Sequence, residues 1–273
     1  MAKTRRLITE NLSDVDAVIE VRDARIPVSS KNPEIEKLTG SKPRLVVLNK
    51  SSLCDPAALE IWKQKIAHEG VDCISTDCIS GKGINDVYSS IKKLCADKLQ
   101  RYSDKGMTRT LKCMVIGIPN VGKSSLINKM AGSGKTKVEN RPGVTRDKQW
   151  VATKGGIDLL DMPGVLWPKF DDKKTAENLA LTGAIKDSIL DTESLAVTLV
   201  KRLRVNYSSL LCARYKLDED FITPEHTDLE IFEEIGRKRG MLIRGGEINY
   251  ERTANMLLEE LRSAKIGLIT LDR

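Results

Sequence analysis

Aromatic residues are scarce in this 273-residue chain, at 4%, and only two histidines occur, His68 and His226. So few rings argue against a surface that recognises nucleic acid by stacking bases. Two histidines and no Cys-x-x-Cys pair argue against a zinc framework. The six cysteines, Cys54, Cys73, Cys78, Cys95, Cys113 and Cys212, are scattered and read as free thiols in a reducing cytosol. No stretch approaches the roughly eighteen apolar residues of a membrane helix, and the first residues lack an apolar signal core, so a cytoplasmic protein without membrane insertion is expected. Internal repeats and low-complexity tracts are lacking too. What is present is 40% hydrophobic residues, enough for one large core or two smaller ones, and a net charge of +7 with many acidic residues interspersed. That modest excess points toward an anionic partner and fits a solvated mixed-charge surface equally well.

The most informative stretch is Gly117-Ile118-Pro119-Asn120-Val121-Gly122-Lys123-Ser124. It follows the apolar run Met114-Val115-Ile116 and precedes a helix-forming run from Ser124 to Met130, the context that a phosphate-binding loop requires. Its glycines let backbone N–H groups turn toward a polyphosphate, Lys123 adds a point charge, and the Ser124 hydroxyl can ligate Mg²⁺. Asn120 through Ser125 are therefore candidate nucleotide contacts. About forty residues on, Asp161-Met162-Pro163-Gly164 ends a predicted strand. There Asp161 can hold Mg²⁺ through water, and the Gly164 N–H can meet a γ-phosphate. Thr145 is the candidate hydroxyl that closes on Mg²⁺ in the triphosphate state, with an ordinary strand-edge threonine as the other reading.

Short apolar strands alternate with amphipathic helices over the first half: strands near Asp16–Val21, Arg44–Leu48 and Val71–Thr76, helices near Asn32–Leu38, Asp55–His68 and Ile84–Gln100. The alternation predicts a mostly parallel sheet covered on both faces. Strands Lys148–Thr153 and Ile157–Asp161 read as a hairpin across Gly155-Gly156. From Ala176 onward the periodicity is helical, with four candidates: Ala176–Leu190, Asp191–Tyr207, Asp228–Lys238 and Tyr250–Ala264. The expected division is an α/β domain over 1–172 and an all-helical domain over 173–273.

Asn49-Lys50, ending a buried-type strand, is similar to the base-reading motif of GTPases, and Ser75 to Cys78, including Asp77, fits the element that supports the base. Both precede the phosphate loop. This order resembles the circularly permuted GTPases, and most of all the YlqF family, ribosome biogenesis GTPase A. The likeness is carried by Met1-Ala2-Lys3 with Arg5-Arg6, Asp23-Ala24-Arg25-Ile26-Pro27, Asn49-Lys50, the phosphate loop, Arg141-Pro142-Gly143 with Thr145, Asp161 to Gly164, and Gly183-Ala184-Ile185-Lys186-Asp187. It implies a permuted P-loop GTPase fold with a C-terminal helical domain. It also implies GTP and GDP as ligands, Mg²⁺ as cofactor, and the large ribosomal subunit with its rRNA as partner of a monomeric switch.

Within that resemblance Arg237, Lys238, Arg239 and Arg244 are the candidate RNA contacts, a cationic helix end being the alternative. Asn120 is a candidate K⁺ ligand or simply a turn-forming asparagine. Two departures stand out. Ser52 occupies the position of the guanine-reading aspartate, giving up a pair worth roughly 1.5 to 3 kcal/mol, about tenfold to a hundredfold in affinity. Weaker GTP binding and less discrimination against other purines are expected from it. The family's water-positioning histidine lies immediately upstream of its Met-Ala-Lys, a place that falls before Met1 of this sequence, and Val165 follows Gly164 where Ras-like enzymes have glutamine. No residue is therefore assigned as certainly catalytic; Lys123 and Thr145 assist. The competing reading is a nucleotide-gated rRNA-binding module with little hydrolysis, and an ATPase or kinase is a third.

Overall fold

A computed structural model describes residues 2–132, 150–164, 166 and 172–273. Among these, six strands, β1 (Ala17–Asp23), β2 (Arg44–Asn49), β3 (Asp72–Ser75), β4 (Leu111–Ile116), β5 (Trp150–Ala152) and β6 (Ile157–Asp161), form one sheet in the order β3-β2-β1-β4-β6-β5. All neighbours run parallel except the β5–β6 hairpin. The central strands are near-continuous apolar runs because both of their faces are covered, and every residue of β1 is buried.

The order of the strands decides where a ligand can sit. From β1 the chain winds outward through β2 to β3, then returns to place β4 against the other side of β1 and continues to β6. The crevice beyond the carboxyl ends of β1 and β4 is thus the topological switch point. The segments after β1, β2, β3, β4 and β6 all emerge at that edge. They begin at Ala24, Lys50, Thr76, Gly117 and Met162, so motifs far apart in sequence are gathered there by strand direction alone.

Among the described residues six helices accompany this sheet: α1 (Ala2–Leu12), α2 (Pro33–Thr39), α3 (Pro56–His68), α4 (Ile84–Leu94), α5 (Ala96–Ser103) and α6 (Lys123–Ala131). Asp55 caps α3 by accepting from Ala57 N and Ala58 N. The helix expected from Ile84 to Gln100 is divided at Cys95, whose backbone (φ −105°, ψ 16°) leaves the α region.

Five helices follow: α7 (Lys173–Leu181), α8 (Thr192–Asn206), α9 (Ser208–Tyr215), α10 (Asp228–Lys238) and α11 (Tyr250–Arg262). Helix α8 is their centre, burying Leu195, Ala196, Leu199, Val200 and Leu203. Two expectations differ from this. The helix predicted through Leu190 stops at Leu181, because Gly183 turns the chain with φ +78°, and only a 3₁₀ turn, Asp187–Ile189, follows. Helix α9 is a fifth where four were expected; Tyr207 (φ −146°) separates it from α8, and its one short turn-pair gives little periodicity to read.

The helices do not stand apart from the sheet. One apolar cluster runs from Ile19 and Val115 through Leu199 and Phe232 to Leu271. Residues 266–273 fold back along the sheet edge, where Leu271 N donates to Arg25 O (2.8 Å). The Asp272 carboxylate accepts from Val28 N (2.7 Å), Ser29 N (2.8 Å), Ser29 Oγ (2.6 Å) and Asn178 Nδ2 (2.7 Å), closing a seam between β1's loop and α7.

A charged cluster lies under the same edge. Asp23 pairs with Arg25 at 2.7 Å, both side chains being 3% exposed, and with Lys50 at 2.9 Å. Burial pushes the Asp23 carboxyl up, but Arg25 and then Lys50 outweigh it and bring its pKa down to about 2. A carboxylate depressed in the fold stabilises above its unfolded pKa, near 3.9, and loses that contribution as pH falls toward 2. Asp23→Asn is expected to cost about 3 to 5 kcal/mol at pH 7 by leaving Arg25 buried and unpaired. In urea unfolding carried from pH 5 to pH 2.5, the variant should lose less stability than the unaltered protein.

Candidate nucleotide-binding site

Between β4 and α6 the chain turns through Gly117–Gly122, and the tightness of that turn is forced by what surrounds it. A Cβ added at Gly122 (φ +95°) would lie 2.2 Å from Asn49 Nδ2. Only glycine therefore lets the loop meet the end of β2. Lys123 Nζ donates to Ile118 O at 2.7 Å, curled over the loop's own backbone. Burial lowers its pKa to about 8, with Asp161 opposing. The Asp161 carboxylate has its pKa raised by burial, against the opposing effects of Lys123 and the Ser124 hydroxyl. Gly164 closes on this group, its absent Cβ being 2.8 Å from Lys123 Nζ and 2.9 Å from Pro119 N. The loop lysine, the Mg²⁺-type hydroxyl, the acidic strand end and the switch glycine thus share one spot. Met1, Thr145 and Val165 lie outside the described residues. The expectations of a Mg²⁺-closing hydroxyl at Thr145 and of an apolar residue in the glutamine position at Val165 therefore rest on the sequence alone.

Asn49 joins this phosphate end to a second pocket. Its Nδ2 donates to Val121 O (2.8 Å), and its Oδ1 accepts from Thr76 Oγ1 (3.1 Å) and Cys78 Sγ (3.1 Å). Lys50 and Asn120 both hold left-handed backbones, φ +61° each, uncommon for residues with a Cβ. They are locked against one another, with Lys50 Nζ donating to Asn120 O at 2.6 Å while also pairing with Asp23. Beyond them lies a cavity of about 380 Å³, reached by Asn49, Lys50, Ser52, Asp77, Cys78, Gly122 and Ser125. Ser52 Oγ donates to Asp77 Oδ2, and Asp77 Oδ1 accepts from Ile79 N and Ser80 N, each 2.8 Å.

The sequence motifs do not announce the far wall of this cavity. Arg25, Thr182 and Arg262 line it, the last two from the helical half of the chain. Arg262 is fixed there by donating to Leu181 O and Ala180 O, each 3.0 Å, and by pairing with Asp187 at 2.7 Å. Asn120 Nδ2 reaches the same region, donating to Gly183 O at 2.7 Å. The Asp23-Ala24-Arg25 and Gly183-to-Asp187 stretches are the only sequence signals for this wall, and neither reveals a contact by itself.

The basic group at the end of α10 does not line this cavity and is uneven. Arg237 and Lys238 reach Glu234, and Arg237 and Arg244 are exposed. Arg239 is engaged inside the helical half: its guanidinium lies 5.1 Å from the Tyr215 ring, pairs with Glu260 at 3.6 Å and donates to Arg214 O. His226 stacks on Phe221 at 4.1 Å, His68 is exposed on α3, and neither lines the nucleotide cavity.

Comparison with known proteins agrees with this geometry. Residues 112–225 match the family model of the 50S ribosome-binding GTPase. Ribosome biogenesis GTPase A of Bacillus pumilus is 42% identical, the alignment covering 100% of this chain and 96% of that protein. Mitochondrial ribosome-associated GTPase 1 of Bos taurus is 32% identical, over 100% of this chain and 86% of its own. The GDP-bound structure of TM YlqF superposes with a TM-score of 0.66 at 25% identity, covering 98% of this chain and 99% of that one. With 42% identity maintained along its whole length, the chain belongs to the ribosome biogenesis GTPase A family.

Proposed function

We propose that this protein is a cytoplasmic GTP-hydrolysing switch that assists assembly of the large ribosomal subunit. The observation that carries the reading is the Asn120–Gly183 bond: the loop that holds the phosphates is in direct contact with the helical half of the chain. A change at the γ-phosphate therefore has a short physical path to residues 173–273, which act in this reading as the output domain. The motif order supports it, because the chain leaves Gly164 and enters α7 within about ten residues.

Asp161, half-buried, with the exposed Ser124 hydroxyl beside it, fits a hard divalent cation, since added positive charge there relieves the raised Asp161 pKa. They would hold Mg²⁺ with Thr145, and the ion neutralises charge on the β- and γ-phosphates when bound. With its Nδ2 given to Gly183, Asn120 keeps Oδ1 as an acceptor, which suits a K⁺ ion beside the phosphates. The second reading, an rRNA-binding module gated by nucleotide with little hydrolysis, draws on the absence of either histidine from the cavity among the described residues.

Titration with labelled GTP and ATP, followed by turnover with and without large ribosomal subunits, separates these readings. Basal turnover is expected on the order of 10⁻⁴ to 10⁻³ s⁻¹, rising with the particle. About 1 s⁻¹ for the protein alone overturns the switch, and binding without any stimulated hydrolysis selects the second reading. Replacing NaCl by KCl should raise turnover, and Asn120→Ala should remove that difference. For the RNA contact, Arg237→Glu combined with Arg244→Glu is expected to weaken particle binding and flatten its salt dependence while leaving GTP affinity intact.

A further inference from the structure

Serine at position 52 leaves a specific gap in chemistry. Guanine presents two donors on one edge, N1–H and the N2 amino group, and an anionic acceptor there is what separates it from adenine, whose N1 is itself an acceptor. Ser52 is short by one carboxylate. Its Oγ stands where an aspartate's Cγ would stand, so the oxygens of that aspartate would lie one bond further into the cavity.

A carboxylate nevertheless stands beside that hydroxyl, supplied by a different strand loop. Asp77, on the segment after β3, accepts the Ser52 hydroxyl on Oδ2 and lines the same cavity. Its other oxygen is saturated: Oδ1 takes Ile79 N and Ser80 N at 2.8 Å and Ser80 Oγ at 3.1 Å. The remaining acceptor capacity is thus on Oδ2, the oxygen beside Ser52. Among the described residues no ion pair uses Asp77, although it is only 3% exposed. Burial pushes this carboxyl up, yet the bonds from Ser52, Ser80 and Ile79 outweigh it and hold it below the usual carboxylate range, so it is an anion at neutral pH. Leu53, next to Ser52, and Ile79, two residues past Asp77 and 88% exposed, add apolar surface to the cavity.

We propose that Asp77 reads guanine in this protein, with Ser52 as the positioning residue that both fixes Oδ2 and offers its own oxygen as a second acceptor. The inference rests on this cavity being the base end of the GTP site. It replaces the expectation of weak discrimination with one of retained discrimination through a relocated carboxylate.

The loop around Asp77 makes the test directional. In Asp77→Asn the N–H groups of Ile79 and Ser80 still require an acceptor, which forces the amide oxygen toward the loop and the amide nitrogen toward Ser52 and the base. A donor then faces the purine edge. It opposes guanine and matches xanthine, which carries a carbonyl at C2. Labelled GTP, XTP, ITP and ATP are titrated into the full chain with Mg²⁺. The unaltered protein is expected to bind GTP at least tenfold tighter than ATP, and tighter than ITP, which lacks the N2 amino group. Asp77→Asn should lose tenfold to a hundredfold in GTP affinity and gain for XTP, reversing the preference. Adding Ser52→Asp to Asp77→Asn should restore GTP, whereas Ser52→Asp alone sets two carboxylates together and should gain little. Equal losses for GTP and XTP in Asp77→Asn, or equal GTP and ITP affinity in the unaltered protein, overturn the assignment of Asp77. Failure of the unaltered protein to prefer GTP over ATP overturns the GTP-site reading itself, so the two failures are distinguishable.

Discussion

The arrangement of this molecule depends on one side-chain amide. Asn49 sits at the end of β2, gives its N–H to the phosphate loop at Val121, and receives the Thr76 hydroxyl and the Cys78 thiol from the loop after β3. Three chain segments that share no local sequence are thereby held in register. Gly122 is a glycine because this amide occupies the space a Cβ would need. The loop at Gly117–Gly122 and the cavity beside Asp77 are joined because Asn49 spans them, and a hydrocarbon at that position would leave donors and acceptors unmatched on both sides.

Permutation of the chain order changes which connections are covalent without changing which groups meet. Strand direction brings all the functional loops to a single edge, and the switch point between β1 and β4 supplies the crevice. What the permuted order adds is proximity of the switch segment to the helices that follow it. The wall formed by Thr182, Gly183 and Arg262 is the physical expression of that proximity, because residues of the helical half border the candidate cavity directly.

Much of the phosphate end was legible in the sequence, since a phosphate loop specifies its own conformation through glycine placement and a local strand-to-helix turn. Lys123, Ser124, Asp161 and Gly164 come together as the motifs imply. The base end was only partly legible. Ser52 read by itself looks like a loss, because the hydroxyl's partner, Asp77, is 25 residues away and reaches it only through the β2–β3 pairing. Likewise Arg239 reads as one more surface cation until Tyr215 and Glu260 are seen around it. The break at Cys95 and the short helix α9 escape for a different reason: both are decided over one or two turns, where local periodicity carries little information.

The seam closed by Asp272 has a consequence for how the protein comes into being. Its carboxylate satisfies the amides of Val28 and Ser29 across 244 and 243 residues of chain, and Leu271 bonds to Arg25 on the cavity wall. Contacts of such sequence separation form late, after loop closure has been met. During synthesis the strands and the phosphate loop emerge from the ribosome long before this seam can form. The cavity wall at Arg25 is therefore braced only once residues 271 and 272 have joined the fold, a long-range closure laid over a sheet whose strands can pair before it.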